Sequence, residues 1–123
     1  MSKAKGSRRE RQVRDLLREQ GYEVVRAGGS LGMFDLVATP TDPDCVRDAA
    51  GLYLVRYIQV KSNQWPPPAE RGRMEKTVIL GPHAREIWRC DDRRGWQVLV
   101  LTGDGWRRVN GQTVLERVFE RQV

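Results

Sequence analysis

One histidine, His83, and two cysteines, Cys45 and Cys90, are the only imidazole and thiol side chains in the 123 residues. A single imidazole speaks against a His-based zinc site. Two thiols far apart and outside any CxxC spacing make neither a zinc site nor a disulfide framework, and fit a reduced protein. No apolar run approaches the ~20 residues that span a bilayer. The basic start, Met1-Ser2-Lys3-Ala4-Lys5-Gly6, has no apolar stretch behind it, so no secretory signal is expected. No membrane partner is expected either, and the expected location is the cytoplasm, that of the host if the protein is viral. The glycine-rich stretch at 28–32 lacks the Gly-Lys-Ser/Thr ending of a phosphate-binding loop, and no helix pattern opens after it. No small-molecule cofactor is expected. Internal repeats and low-complexity tracts are absent too.

What the chain has in excess is positive charge. Lys and Arg number 22 against 16 Asp and Glu, a formal net charge of +6, and the pI is about 9.9. The bias is carried mostly by arginine, whose planar fork suits phosphate, and it clusters near the N-terminus. A polyanion, nucleic acid first, is the partner that such a balance favours. Hydrophobic residues at 39% and charged residues at 31% describe a folded chain of one domain. Residues 1–6 read as a flexible basic arm and residues 7–123 as the domain.

Ser7-Arg8-Arg9-Glu10 has the spacing of a capping box and starts a helix there. Val13, Leu16 and Leu17 give it an apolar face, and Gly21 a stop. Arg11, Arg14 and Arg18 line another face. Glu10 carries two readings: it folds back as the capping residue, or it faces the core side with Val13 and Leu17 and overhangs a strand end. Residues 22–27 and 33–38 read as strands, and Asp35 stands inside the apolar run of the second. A carboxylate there is costly to bury unless it is paired or bound to metal.

Residues 52–61 form a third, long strand. It ends on Gln59-Val60-Lys61, whose two polar side chains, two residues apart, point to one face. Residues 62–76 read as a loop with Trp65 and three prolines, and 77–80 as a short strand. Gly81-Pro82 then opens a helix through His83, Ile87 and Trp88 to about Asp92. Residues 96–101 are the clearest strand of the second half, and Gly103-Asp104-Gly105 turns it into a hairpin with 106–109. The tail from Thr113 reads as a strand or a short helix. The fold class expected is α/β, a mixed sheet flanked by helices, in the order helix, three strands, helix, one or two strands.

Glu10 on the first helix, Asp35 on the second strand, and Gln59 and Lys61 on the third resemble, in order and element type, the PD-(D/E)xK superfamily of restriction-endonuclease-like nucleases. The string Gly6-Ser7-Arg8-Arg9-Glu10, then residues 21–27, then Ser30 and Asp35-Leu36-Val37-Ala38, then Gln59-Val60-Lys61-Ser62 resembles the archaeal-type Holliday junction resolvases more closely. The resemblance covers about the first half of the chain. It implies a metal-dependent endonuclease that resolves four-way DNA junctions, acting as a homodimer so that two sites cut two strands. Asp35 matches the metal-binding aspartate, Lys61 the motif lysine, Glu10 the helix glutamate and Ser30 a small polar residue of the preceding loop. Gln59 stands where the family usually has glutamate.

The chemistry makes sense of the same residues. Phosphodiester hydrolysis needs an in-line water and charge relief on the phosphoryl oxygens, which Mg²⁺ on one or two carboxylates supplies. Asp35, Gln59 and the Val60 carbonyl are the expected ligands, with Glu10 acting through water or a second ion. Mn²⁺ is expected to substitute. Lys61 is expected to orient the attacking water or to steady the developing charge. Lys3, Lys5, Arg8, Arg9, Arg11 and Arg14 are the expected DNA phosphate contacts. Restoring the anion by Gln59→Glu is expected to preserve cleavage and tighten metal use. Two alternatives share these residues: a nuclease of the same fold acting on flaps, nicks or duplex, and a DNA-binding domain whose site has decayed through Gln59.

Overall fold

The computed structural model describes residues 3–27, 32–93 and 95–110. Helix α1 (Lys3–Glu19) precedes strands β1 (Tyr22–Arg26), β2 (Leu36–Pro40) and β3 (Val55–Ser62). Helix α2 (Pro68–Lys76) follows, and then β4 (His83–Asp91), β5 (Gly95–Thr102) and β6 (Gly105–Asn110). The strands form one six-stranded sheet in sequence order. Every neighbouring pair is antiparallel except β3–β4, which is parallel. Parallel neighbours need a long crossover, and α2 lies in it. The mixed α/β sheet is as expected from the sequence. Among the described residues, no helix is long and apolar enough to cross a membrane.

Two cores sit on opposite faces of the sheet. Val13 and Leu17 of α1, one helical turn apart, pack with Leu36, Ala38, Ile58, Ala84, Trp88, Val98 and Val100. Met74 of α2 packs with Phe34, Ile87 and Leu99, and Tyr57, Trp65 and Trp106 lie against them. Ile87 and Trp88, adjacent in β4, therefore belong to different cores, as a period of two demands. Trp88 lies in the core, with Trp96 edge-on to it at 5.8 Å. Both cysteines are free thiols and buried, and the Cys45 thiol donates to the Gln20 and Gly21 carbonyls at 3.4 and 3.3 Å.

α1 ends where expected. Gly21 has φ +93°, and a Cβ there would stand 2.6 Å from the Asp42 Cβ, so both the turn and the close approach require glycine. Its start differs. The helix begins at Lys3, so residues 3–6 are its first turn rather than an arm, and Ser7 is helical and cannot be an N-cap. Lys3-Ala4-Lys5 are good helix formers, which outweighs the capping signal four residues on.

Three further expectations are corrected. The segment from Pro82 to Asp92 is not a helix but strand β4, paired in parallel with β3 along its length. Its inward face carries Glu86 between Ala84 and Trp88, and a charge at a core position breaks the alternation that marks a strand. The stretch 62–76 is not all loop: it holds α2, while 77–80, expected as a strand, makes no ladder. α2 buries only Met74, so no apolar stripe announces it. Its ends are nonetheless set by local chemistry. Pro68 occupies the first turn, and the Arg85 guanidinium of β4 donates to the last-turn carbonyls of Met74 and Glu75. The glycine-rich loop at 28–31 and the tail beyond 110 lie outside the described residues.

Glu86 is part of an ion pair that no solvent reaches. Arg56 Nε and Nη2 donate to Glu86 Oε2 and Oε1, each at 2.7 Å, and both side chains are 0% exposed. Trp88 Nε1 adds a bond to Oε1 at 2.9 Å, and the Tyr22 ring lies 5.2 Å from the guanidinium. Burial works against the Arg56 charge. The Glu86 carboxylate outweighs it, so the guanidinium is held more firmly protonated than usual.

Candidate active site

β2 and β3 pair antiparallel with Leu36 opposite Ile58. Asp35, one residue ahead of β2, is still tied into this ladder. Its N–H donates to the Ile58 carbonyl at 2.8 Å, and its own carbonyl accepts from Ala27 at 2.9 Å. Asp35 is thus tied to Ile58, the residue already opposite Leu36, an irregular step just ahead of β2. Leu36 and Ala38 face the α1 core, whereas Phe34, two residues before Leu36, packs in the α2 core, so strict alternation is broken at Asp35. Gln59 and Lys61 are out of phase with Ile58 and Val60 and face the α2 side. The register thus brings Asp35, Gln59 and Lys61 to one end of two neighbouring strands.

The Asp35 carboxylate accepts the Val60 N–H at Oδ2, 2.7 Å away. Burial pushes this carboxyl up to about 6 from its ordinary value of 3.8. The Val60 N–H opposes the rise, the Glu10 charge adds to it, and the charges of Lys61 and Arg26 oppose it. Glu10 is thereby within electrostatic reach of Asp35, and Arg26 Nη2 lies 3.5 Å from Glu10 Oε2. Because α1 starts at Lys3, Glu10 lies in the helix interior and is not the third residue of a capping box.

Gln59 is 3% exposed, and its Oε1 is buried with no hydrogen-bond partner. Its Nε2 points to Glu70 Oε2 at 3.5 Å, and Lys61 Nζ lies 3.2 Å from the same oxygen. Glu70 is the residue that sequence reasoning missed. It sits in the first turn of α2, in a stretch read as loop. The signal available was an acid just inside a segment that follows Pro66-Pro67-Pro68, the pattern of a helix start.

The remaining expected positions divide. Arg8 and Arg11 are exposed on α1. Arg9 is mostly covered and reaches across to Asp92 at 3.0 Å and to Gln12 at 3.2 Å. Arg14 pairs with Asp15 at 3.1 Å. Ser30 lies outside the described residues, as do the side chains of Lys3 and Lys5. Trp65 packs beside the α2 core, with the Arg89 guanidinium over its ring at 4.6 Å and that of Arg108 at 5.9 Å. Among the described residues, no three His, Cys, Asp or Glu side chains gather as a metal-binding group. The donors near Asp35 are two carboxylates and an amide, a hard-oxygen set suited to Mg²⁺ rather than zinc. A desolvated carboxylate with a second acid nearby, and a buried amide oxygen lacking a donor, fit a cation at this end of the sheet.

Among curated proteins none matches this chain. The fold matches the structure of Archaeoglobus fulgidus Hjc, a Holliday junction resolvase from an archaeal hyperthermophile, with a TM-score of 0.55. Identity is 18%, and the match covers 88% of this chain and 85% of that one, so the likeness is one of fold. A family model described as archaeal Holliday junction resolvase (Hjc) matches residues 1–64. That stretch is more than half of the 123 residues and contains Glu10, Asp35, Gln59 and Lys61, so the chain belongs to the archaeal Holliday junction resolvase (Hjc) family.

Proposed function

We propose that this chain is a Mg²⁺-dependent endonuclease that resolves four-way DNA junctions by phosphodiester hydrolysis, with Mn²⁺ able to replace Mg²⁺. The observation that carries the reading is an unmet demand for positive charge. Asp35 is held at about 6 by burial, and the Gln59 amide oxygen on the neighbouring strand is buried without a donor. Family membership supplies the reaction class.

Asp35 and Gln59 would hold the ion, with the Val60 carbonyl beside them and Glu10 acting through water. Bound there, Mg²⁺ supplies charge relief on the phosphoryl oxygens and a more acidic water. The Val60 N–H fixes Asp35 through Oδ2, which leaves Oδ1 for the ion. Lys61 orients the attacking water and steadies the charge that develops as its oxygen bonds to phosphorus and the sugar oxygen leaves. Glu70 holds Lys61 in place while the site is empty of substrate. Two strands of a junction need two sites, so the working form is a homodimer.

The test compares a four-way junction, a nicked duplex, a flap and linear duplex, each with Mg²⁺ and with chelator. Paired, symmetric cuts confined to the junction and lost with chelator are expected. Sequence-specific cuts in linear duplex would overturn the resolvase reading, and junction binding without cleavage in both Mg²⁺ and Mn²⁺ would overturn the enzyme reading.

Arg8 and Arg11 are exposed and carry no ion pair among the described contacts, so they serve as phosphate contacts. Changing both to Ala is expected to weaken binding to every junction sequence alike. The slope of log affinity against log salt should also fall by about 1 per contact. Fluorescence anisotropy across a salt series measures both. Arg9, tied to Asp92, should move the slope less.

A further inference from the structure

We infer that Glu70 is a positioning residue of this site: it turns the Gln59 amide so that its oxygen faces the cation, it anchors the Lys61 ammonium, and it carries the negative charge that Gln59 lacks. The inference rests on the nuclease reading above. It goes beyond the family match, because Glu70 lies outside the matched residues 1–64.

A carboxylate accepts hydrogen bonds and cannot donate them. Glu70 Oε2 stands 3.5 Å from Gln59 Nε2, a long contact, yet its sign decides which end of the amide lies there. The NH₂ is drawn to Glu70 and the oxygen is driven to the opposite side. That oxygen is buried and has no partner. The same Glu70 oxygen lies 3.2 Å from Lys61 Nζ, so one carboxylate atom organises both polar side chains at the end of β3. The group is enclosed: Lys61 is 28% exposed, Glu70 22% and Gln59 3%. Glu70 itself is presented by α2, whose packing rests on Met74 against Ile87 and Leu99 and whose last carbonyls are held by Arg85.

This changes the expectation for Gln59→Glu. A carboxylate at 59 would stand about as near to Glu70 as the amide now does, and two like charges at that distance disfavour one another. The neutral amide at 59 and the acid at 70 are complementary. Exchanging them as Gln59→Glu with Glu70→Gln keeps one charge and one amide in contact, now with the amide donating from α2.

The experiment compares wild type, Glu70→Gln, Glu70→Asp, Gln59→Glu and the exchange double variant. Three quantities are read on the full chain: Mn²⁺ binding by calorimetry with the metal alone, single-turnover junction cleavage against Mg²⁺ concentration, and junction binding in chelator. Glu70→Gln should weaken Mn²⁺ binding about 5-fold or more and slow cleavage about 10-fold or more. Junction binding in chelator should stay within about 2-fold, and Glu70→Asp should recover part of the loss. Gln59→Glu alone should cleave less well than wild type, and the double variant should exceed the product of the two single effects. A role limited to the start of α2 would lower the melting temperature and leave Mn²⁺ affinity and the Mg²⁺ profile of the folded protein unmoved. That result would overturn the inference, and so would strictly multiplicative single effects. If the wild type binds Mn²⁺ but cuts no junction, the resolvase reading falls and the calorimetric comparison alone decides for or against Glu70. A wild type that neither binds Mn²⁺ nor cuts overturns both.

Discussion

Asp35→Asn should abolish junction cleavage, keep junction binding and raise the thermal stability of the metal-free protein. If Asp35 holds the ion as proposed, losing its charge removes several kcal/mol of transition-state stabilisation, about 10³-fold or more in rate. The gain in stability has a separate cause. The native fold partly buries Asp35 within reach of another acid's charge, and its carboxyl sits near 6 rather than 3.8. An acid whose folded pKa is raised binds its proton more tightly in the native state than in the unfolded one. Wild-type stability therefore falls as pH rises between about 4 and 6, and the penalty is complete above about 6. A shift of that size corresponds to at most about 3 kcal/mol, and partial solvent access reduces this to about 1–2 kcal/mol. The amide of the variant can still accept the Val60 N–H through its oxygen and carries no charge to desolvate. Melting curves without metal should show Asp35→Asn above wild type at pH 8 and level with it near pH 4. Mg²⁺ should raise the wild type alone, because only an intact site gains stability from a bound ion. A variant that melts lower at both pH values and no longer binds junctions would make Asp35 a structural residue.

Glu86→Ala should destabilise the domain by about 3–5 kcal/mol. Arg56 would then be a guanidinium at 0% exposure with its carboxylate gone, and Trp88 Nε1 would lose its acceptor. Breaking a buried pair from one side costs about 3–5 kcal/mol, against a total of about 5–15 kcal/mol for an ordinary domain. Replacing both partners by apolar residues of similar volume, Arg56→Met with Glu86→Leu, should return stability to near the wild-type level or above it. The charges are then absent rather than unpaired. Urea titrations of the two variants decide the matter. A midpoint for Glu86→Ala within about 1 kcal/mol of wild type would mean that water reaches Arg56 in solution. The pair spans β3 and β4, so its loss also loosens the strand that carries Gln59 and Lys61.

That pair explains where sequence patterning failed. In β3, Arg56 occupies an inward position two residues before Ile58, and in β4 Glu86 sits between Ala84 and Trp88. Each charge stands where the period of two calls for an apolar residue. β3 was still legible because Tyr57-Ile58-Gln59-Val60 is rich in β-branched and aromatic residues. β4 was not, because Pro82 after Gly81 imitates a helix start and Ile87-Trp88 supplies two apolar neighbours. The element was a strand whose inward acid is neutralised by an arginine 30 positions away. α2 failed for the opposite reason: a nine-residue helix that buries only Met74 has no periodic face to read.

For the site, local rules reached far. The period of two placed Gln59 and Lys61 together, and the antiparallel pairing of β2 with β3 carried Asp35 to the end of β3, where it bonds to Ile58 and Val60. Glu10 was reachable from its spacing to Val13 and Leu17 on one helical face. These are short-range regularities of helix and strand, and they are written in the order of residues. The parallel pairing of β3 with β4, the burial of Arg56 with Glu86, and the approach of Glu70 to Gln59 and Lys61 are not. Each depends on which distant segment occupies a given neighbourhood, and a charge shows no mark in sequence of the partner that neutralises it. Residue order was enough to place Glu10 on α1, Asp35 ahead of β2, and Gln59 and Lys61 at the end of β3. How their charges are balanced emerged only from the packed chain, because that balance is struck across space between segments with no local signature in common.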